Sequence, residues 1–166
     1  MARILPEIQE EHEEDCLHAS QHVPRIAFTR GDMHAKGKHD RPLYFTGHIG
    51  SSEVSCIQVD PGSTLSILPR RVMQHLGIPT HRLSATQITI YGFNANCMRP
   101  MGKIKLKCQI GDLRSEVMCY VINVDTLYNL LLGRPWIHRN SIVPSTLHQV
   151  MKYVDENGRV RTLITI

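Results

Sequence analysis

The sequence predicts an all-β domain with one or two short helices, folded as a barrel or a sandwich. Three observations predict it. From Pro42 onward, apolar and polar residues alternate in short runs. Gly, Pro, Asn and Asp interrupt those runs at frequent intervals. Helical spacing of apolar residues is confined to one or two brief stretches.

Residues 1–40 differ in texture. They hold eight Asp and Glu, five Lys and Arg, and five His. Glu7 to Asp15 is dense in acid and could form a short helix, but no apolar period is sustained. This segment reads as an acidic, flexible linker. From residue 41 to 166 the chain reads as one domain. Leu43 to Ile49 is a strand, Gly50-Ser51-Ser52 a turn, and Val54 to Val59 a second strand by alternation. Asp60 to Thr64 is a loop, after which Leu65-Ser66-Ile67-Leu68 resumes apolar character. Pro69 to Gly77 is a short helix, with Pro69 suited to its first turn and Gly77 to its stop. Strands follow at Gln87–Tyr91, Gly102–Gln109, Glu116–Asn123 and Asn129–Leu132. Pro135-Trp136-Ile137-His138 begins a helical turn. A terminal hairpin, about 149–166, turns at Asp155-Glu156-Asn157-Gly158, where Asn-Gly is a strong hairpin signal.

Composition narrows the function classes. A chain of 166 residues, 42% hydrophobic, can bury a real core without a disulfide scaffold. No apolar run approaches the roughly 20 residues that span a bilayer, and the start lacks an apolar signal segment. The expectation is a soluble intracellular protein with no membrane partner. Residues 41–166 carry fourteen Lys and Arg against seven Asp and Glu. These basic residues sit singly within strand-like segments, so a solvated surface is expected and not a nucleic-acid site. Cys16, Cys56, Cys97, Cys108 and Cys119 form no C-x-x-C pair and read as small buried hydrophobes. His12, Cys16, His18 and His22 fit no standard zinc finger, so neither a metal nor a cofactor is expected.

One loop invites a chemical reading. Val59-Asp60-Pro61-Gly62-Ser63-Thr64 places a carboxylate between two apolar strands, which is costly unless the group is hydrogen-bonded or has a task. Taken alone, Asp-Pro-Gly-Ser is ordinary surface-turn chemistry. Its setting changes that reading. After Asp60 come Ile-Leu, a short helix, a Gly-containing hairpin, and then Leu130-Leu131-Leu132-Gly133-Arg134.

In that order and spacing the chain resembles the retropepsin family, the single-lobed aspartic proteases of retroviruses and long-terminal-repeat retrotransposons, over about residues 42–140. Asp60-Pro61-Gly62-Ser63 stands at the active-site signature. Tyr91-Gly92-Phe93-Asn94 looks like the tip of a flap that closes on substrate. Leu132-Gly133-Arg134 looks like the segment beneath the active-site loop. Tyr128 to His138 is specifically similar to proteases of Gypsy-class elements in plants. The resemblance implies an acid-protease barrel completed by homodimerisation, with Asp60 as the catalytic carboxylate and Pro61, Gly62, Ser63 and Thr64 as its loop. It implies a polyprotein substrate of the Gag-Pol type, cleaved in the cytoplasmic particle of a retroelement. Phe93 is either a lid on the substrate or a residue tucked under the flap. Floor residues near Ile67 and Leu132 imply apolar preferences beside the cut.

Two departures stand against the pattern. Pro61 replaces the usual Thr or Ser, and supplies neither a hydroxyl nor an N–H to brace two loops across a dimer axis. Thr64 stands where viral relatives offer a carboxylate to the Arg of the Gly-Arg segment, so Arg134 is expected to bond a backbone carbonyl. Only one Asp-x-Gly-Ser/Thr loop is present; Asp112 and Asp125 read as turn and loop residues. Aspartic proteolysis needs two carboxylates, so the second must come from another copy. The rival reading is a dimer of the same fold that no longer cleaves and serves as an interaction module.

Overall fold

A computed structural model describes residues 25–32, 41–91 and 97–166. Strands β1 (Leu43–Ile49), β2 (Ser52–Val59), β3 (Ser66–Pro69), β6 (Gly102–Ile110), β7 (Leu113–Ile122) and β8 (Leu130–Leu132) close a barrel in the order β1-β2-β8-β3-β7-β6. The β6 pattern shows why: alternate residues Gly102, Ile104, Leu106, Cys108 and Ile110 face in, and the lysines between them face out. Leu43, Phe45, Ile57, Leu68, Val121, Leu130, Leu132 and Trp136 fill the interior. Closure brings β1 against β6 at Ile49 and Cys108. Gly47 permits it, because a Cβ there would overlap the Gln109 carbonyl oxygen. Between the Phe45–Ile57 and Gly47–Val54 pairs, β2 sets Ser55 and Cys56 against the single residue Thr46, and Cys56 takes a φ of 52°. Such a bulge bends the strand and strengthens its twist.

Two short helices interrupt the sheet. Helix α1 (Arg70–His75) stops in a Schellman motif: Gly77 takes a φ of 72°, its N–H donates to Gln74 O, and Ile78 N–H donates to Met73 O. Helix α2 (Arg134–Arg139) starts on Gly133 with Pro135 in its first turn. Trp136 is buried and donates its indole N–H to Ser115 Oγ at 2.8 Å.

Downstream, β9 (Val143–Ser145), β10 (Val150–Val154) and β11 (Val160–Ile164) form a three-stranded sheet. Met151 and Tyr153 of β10 join the barrel's buried cluster. Arg41 Nε donates to Oε1 of fully buried Gln149 (2.8 Å), and Ile166 N–H donates to Tyr44 O, so both ends of this domain meet. The hairpin turn is held by Asp155 Oδ1, which accepts the N–H groups of Asn157 and Arg159.

Three features depart from the reading of the sequence. No strand covers 85–89; β4 is only Ile90–Tyr91, pairing with β5 (Cys97–Met98). The Ile88 N–H is taken by Thr86 Oγ1 (3.2 Å), a local bond that competes with a ladder. Of the cysteines, Cys108 and Cys119 are buried, but Cys56 is half-buried and Cys97 is exposed. Burial pushes the Cys108 thiol up to about 12, so it is inert at neutral pH. Finally, residues 25–32, inside the stretch read as linker, lie on the C-terminal sheet. Phe28 stacks on His148 with ring centres 5.3 Å apart, and Lys152 Nζ donates to Ala27 O and Asp32 Oδ2 at 2.8 and 3.0 Å.

That strap is sensitive to acid. The Thr29 N–H, followed by Lys152, holds the Asp32 carboxyl below its ordinary value. A depressed carboxylate contributes stability above its unfolded pKa and loses it as the pH falls through the folded one, hence below about pH 4. Asp32→Asn should release the strap even at neutral pH, read as faster amide exchange at 27–32. Equal protection in the variant would remove the ion pair as the anchor.

Candidate active site

Strand β8 lies between β2 and β3, parallel to β2 and antiparallel to β3. The chain leaving β2 must therefore cross over a whole strand to enter β3, and the crossing is residues 60–65. Asp60 sits where β2 ends. Its N–H donates to Leu132 O (3.0 Å), continuing the β2–β8 ladder. Ser63 N–H donates to Asp60 O, closing a β-turn with Pro61 second, where its fixed φ suits the geometry. The Gly62 N–H donates to Asp60 Oδ1 at 2.8 Å. Gly62 has no left-handed φ; what it supplies is room, since a Cβ would stand 3.1 Å from that same oxygen. The carboxylate is thus aimed by one backbone donor, and among the described residues its other oxygen takes no hydrogen bond.

The far side is tied as firmly. Ser63 O accepts the Arg134 N–H (2.9 Å), and buried Ser66 Oγ accepts the Gly133 N–H (3.0 Å). Ser63 Oγ donates to Leu65 O (2.7 Å). Gly133 passes so close beneath the loop that a Cβ would stand 2.7 Å from the Leu65 carbonyl carbon and 2.9 Å from Ser63 O. Thr64 is exposed. Arg134 contributes through its backbone: its guanidinium makes no hydrogen bond among the described residues, contrary to the expected bond to a carbonyl. Arg134 is half-buried, and Thr64 offers it no carboxylate.

Asp60 opens into a cleft of about 780 Å³. Leu65, Ile67, Ile90, Met98, Ile122, Tyr128 and Leu131 form an apolar cluster that lines it, separate from the barrel core. The floor differs from expectation in one place. Leu132 faces the barrel interior, and Leu131 faces the cleft, because side chains alternate along β8. Tyr128 was missed by the motif reading. It stands half-buried in the wall, where burial, then the charge of Asp60, pushes its hydroxyl up and keeps it a proton donor. Tyr91 is 74% exposed at the mouth. Gly92, Phe93 and Asn94 lie outside the described residues, as do His12, Cys16, His18 and His22. Asp112 is exposed and pairs with Arg161 (2.6 Å), and Asp125 is exposed in a loop; neither lines the cleft. Among the described residues, no three His, Cys, Asp or Glu side chains gather as metal ligands, and no helix is long and apolar enough to cross a membrane.

Comparison with solved structures matches this architecture. The retroviral protease-like domain of Ddi1 from Leishmania major superposes with a TM-score of 0.54 at 21% identity, over 78% of this chain and 94% of that one. The fold is retropepsin-like. A retropepsin-like aspartic protease from Rickettsia conorii also aligns, with a TM-score of 0.48 at 20% identity over 61% of this chain and 75% of its own. No family model and no curated protein matches the sequence. Within the retropepsin-like barrel, the crossing from β2 to β3 carries Asp60 and the strand between them carries the Gly133 support.

Proposed function

We propose that the chain is one subunit of a homodimeric aspartic endopeptidase whose catalytic pair is Asp60 from two copies. The observation that carries this reading is the cleft itself: Asp60 is aimed into an apolar channel, and among the described residues no other carboxylate lines it. Two such carboxylates in contact cannot both ionise, so they share one proton and titrate as a unit. The ionised member takes a proton from water as the water oxygen bonds to the scissile carbonyl carbon. The protonated member gives its proton to the carbonyl oxygen, forming a tetrahedral diol. Return of a proton to the amide nitrogen breaks the C–N bond. Substrate would lie extended between the floor and the Tyr91 hairpin, with apolar side chains on Leu65, Ile67 and Leu131. The proposed substrate is the Gag-Pol polyprotein of a Gypsy-class retroelement, cut in its cytoplasmic particle.

Pro61 favours a second reading, a dimer of the same fold that no longer cleaves, because the loop has lost a donor where two copies would meet. A subunit-mixing assay separates the two. Cleavage of a mixed peptide library at pH 4–7 should lose specific activity on dilution. It should fall further when excess Asp60→Asn chain is added, since each mixed dimer holds one carboxylate. A dimer that cleaves nothing at high concentration sinks the protease reading; activity indifferent to dilution and to the added variant sinks the shared site.

A further inference from the structure

The cleft wall is a segment without regular structure. Residues 123–129 join the end of β7 to the start of β8, and both flanking strands supply floor residues, Ile122 and Leu131. Along this segment alternate side chains, Val124, Thr126 and Tyr128, line the cleft, while Asp125 and Leu127 are exposed, Leu127 by 90%. Such an extended wall needs an anchor behind it, because its carbonyls have no neighbouring strand to pair with.

Arg71, exposed on α1 and outside the cleft lining, provides one. Its Nη2 donates to Thr126 O (3.1 Å), Thr126 Oγ1 (3.3 Å) and Tyr128 O (2.9 Å), and its Nη1 donates to Asn129 Oδ1 (2.8 Å). Asn129 in turn donates from Nδ2 to Ser55 O (2.8 Å) and from its N–H to Cys56 O (2.9 Å). Thr126 Oγ1 donates to Tyr128 O (2.7 Å). The planar guanidinium fork satisfies acceptors on three loop residues at once, which a lysine ammonium on a flexible stem does poorly. We propose that Arg71 is a positioning residue for substrate selection: by gripping the backs of Thr126, Tyr128 and Asn129 it fixes the wall on which peptide side chains are sorted.

This rests on the protease reading, and the test keeps the two separate. Arg71→Ala and Arg71→Lys are compared with wild type on peptides that differ only in the residue beside the cut. For Arg71→Ala, KM should rise about tenfold with kcat within about twofold, and discrimination between large apolar and small side chains should narrow. Arg71→Lys, which keeps the charge and most of the packing, should fall between. Amide exchange over 123–129 should quicken in both variants, with β1 and β6 unchanged. A quickened loop with unaltered KM and selectivity overturns the substrate role and leaves only scaffolding. Unaltered exchange overturns the grip itself. If the wild-type chain shows no Asp60-dependent cleavage, the protease reading and the selection role fall together, and exchange still decides whether Arg71 holds the loop.

Discussion

On the protease reading, Asp60→Asn should abolish peptide cleavage and leave the fold in place. The amide is nearly the same shape as the carboxylate, and its oxygen can still accept the Gly62 N–H that aims the group. The β-turn through Pro61 and the ladder bond to Leu132 involve only backbone. What is lost is the charge that, in the proposed mechanism, takes a proton from water. Two asparagines facing each other cannot share a proton, so kcat/KM should fall by about three to four orders of magnitude or more. The check is an initial-rate assay on a cleaved peptide beside a thermal melt. Unchanged melting with no turnover is the expected pair of results. Residual turnover within about tenfold of wild type would place the chemistry elsewhere.

Gly133→Ala should be among the most damaging single methyls at the described glycines. Its backbone φ of −91° is open to any residue, so the cost is steric and not conformational. The added carbon meets the backbone of Leu65 and Ser63, not a side chain that can swing away. Relief requires moving the loop off β8, which breaks the bonds from Gly133 N–H to Ser66 Oγ and from Arg134 N–H to Ser63 O. Both involve groups packed against the barrel, so the expected loss is about 3–5 kcal/mol of stability. A urea titration measures it as a lower midpoint, with cleavage lost in parallel. A variant within about 1 kcal/mol of wild type would show that the loop is far softer than its hydrogen bonds imply.

The two residues differ in how openly the sequence declared them. Asp60 read alone as an ordinary surface turn, and became a candidate only with the segments that follow it as far as Gly133-Arg134. Gly133 was legible through resemblance, and its steric role only through the close approach of Leu65. Most barrel strands were legible because one face is wet, and period-two alternation marks it. Strand β8 was not, as to its faces. It is covered on both sides, so Leu-Leu-Leu carries no parity, and the floor could be placed only near Leu132, where Leu131 is the residue that faces the cleft. Strand β9 was hidden by Pro144, which is tolerated because β9 is an edge. The wall and its anchor could not be read at all. Arg71 and its acceptors lie 55 to 58 residues apart, and the strap on Lys152 reaches back more than a hundred. Alternation and turn chemistry report neighbours along the chain, and these contacts are made across it.

The insertion of β8 between β2 and β3 also sets an order of events. Gly133 and Ser66 are 67 residues apart in sequence, and the strands they join must both be present before the crossing at Asp60 has anything to rest on. Parallel and distant pairings are slow to form, because the intervening chain must be gathered first. A growing chain that has emerged only as far as β7 can hold its β1–β2 and β6–β7 hairpins, yet it has no seat for the carboxylate. The seat of Asp60 therefore forms late, after nearly the whole barrel is made.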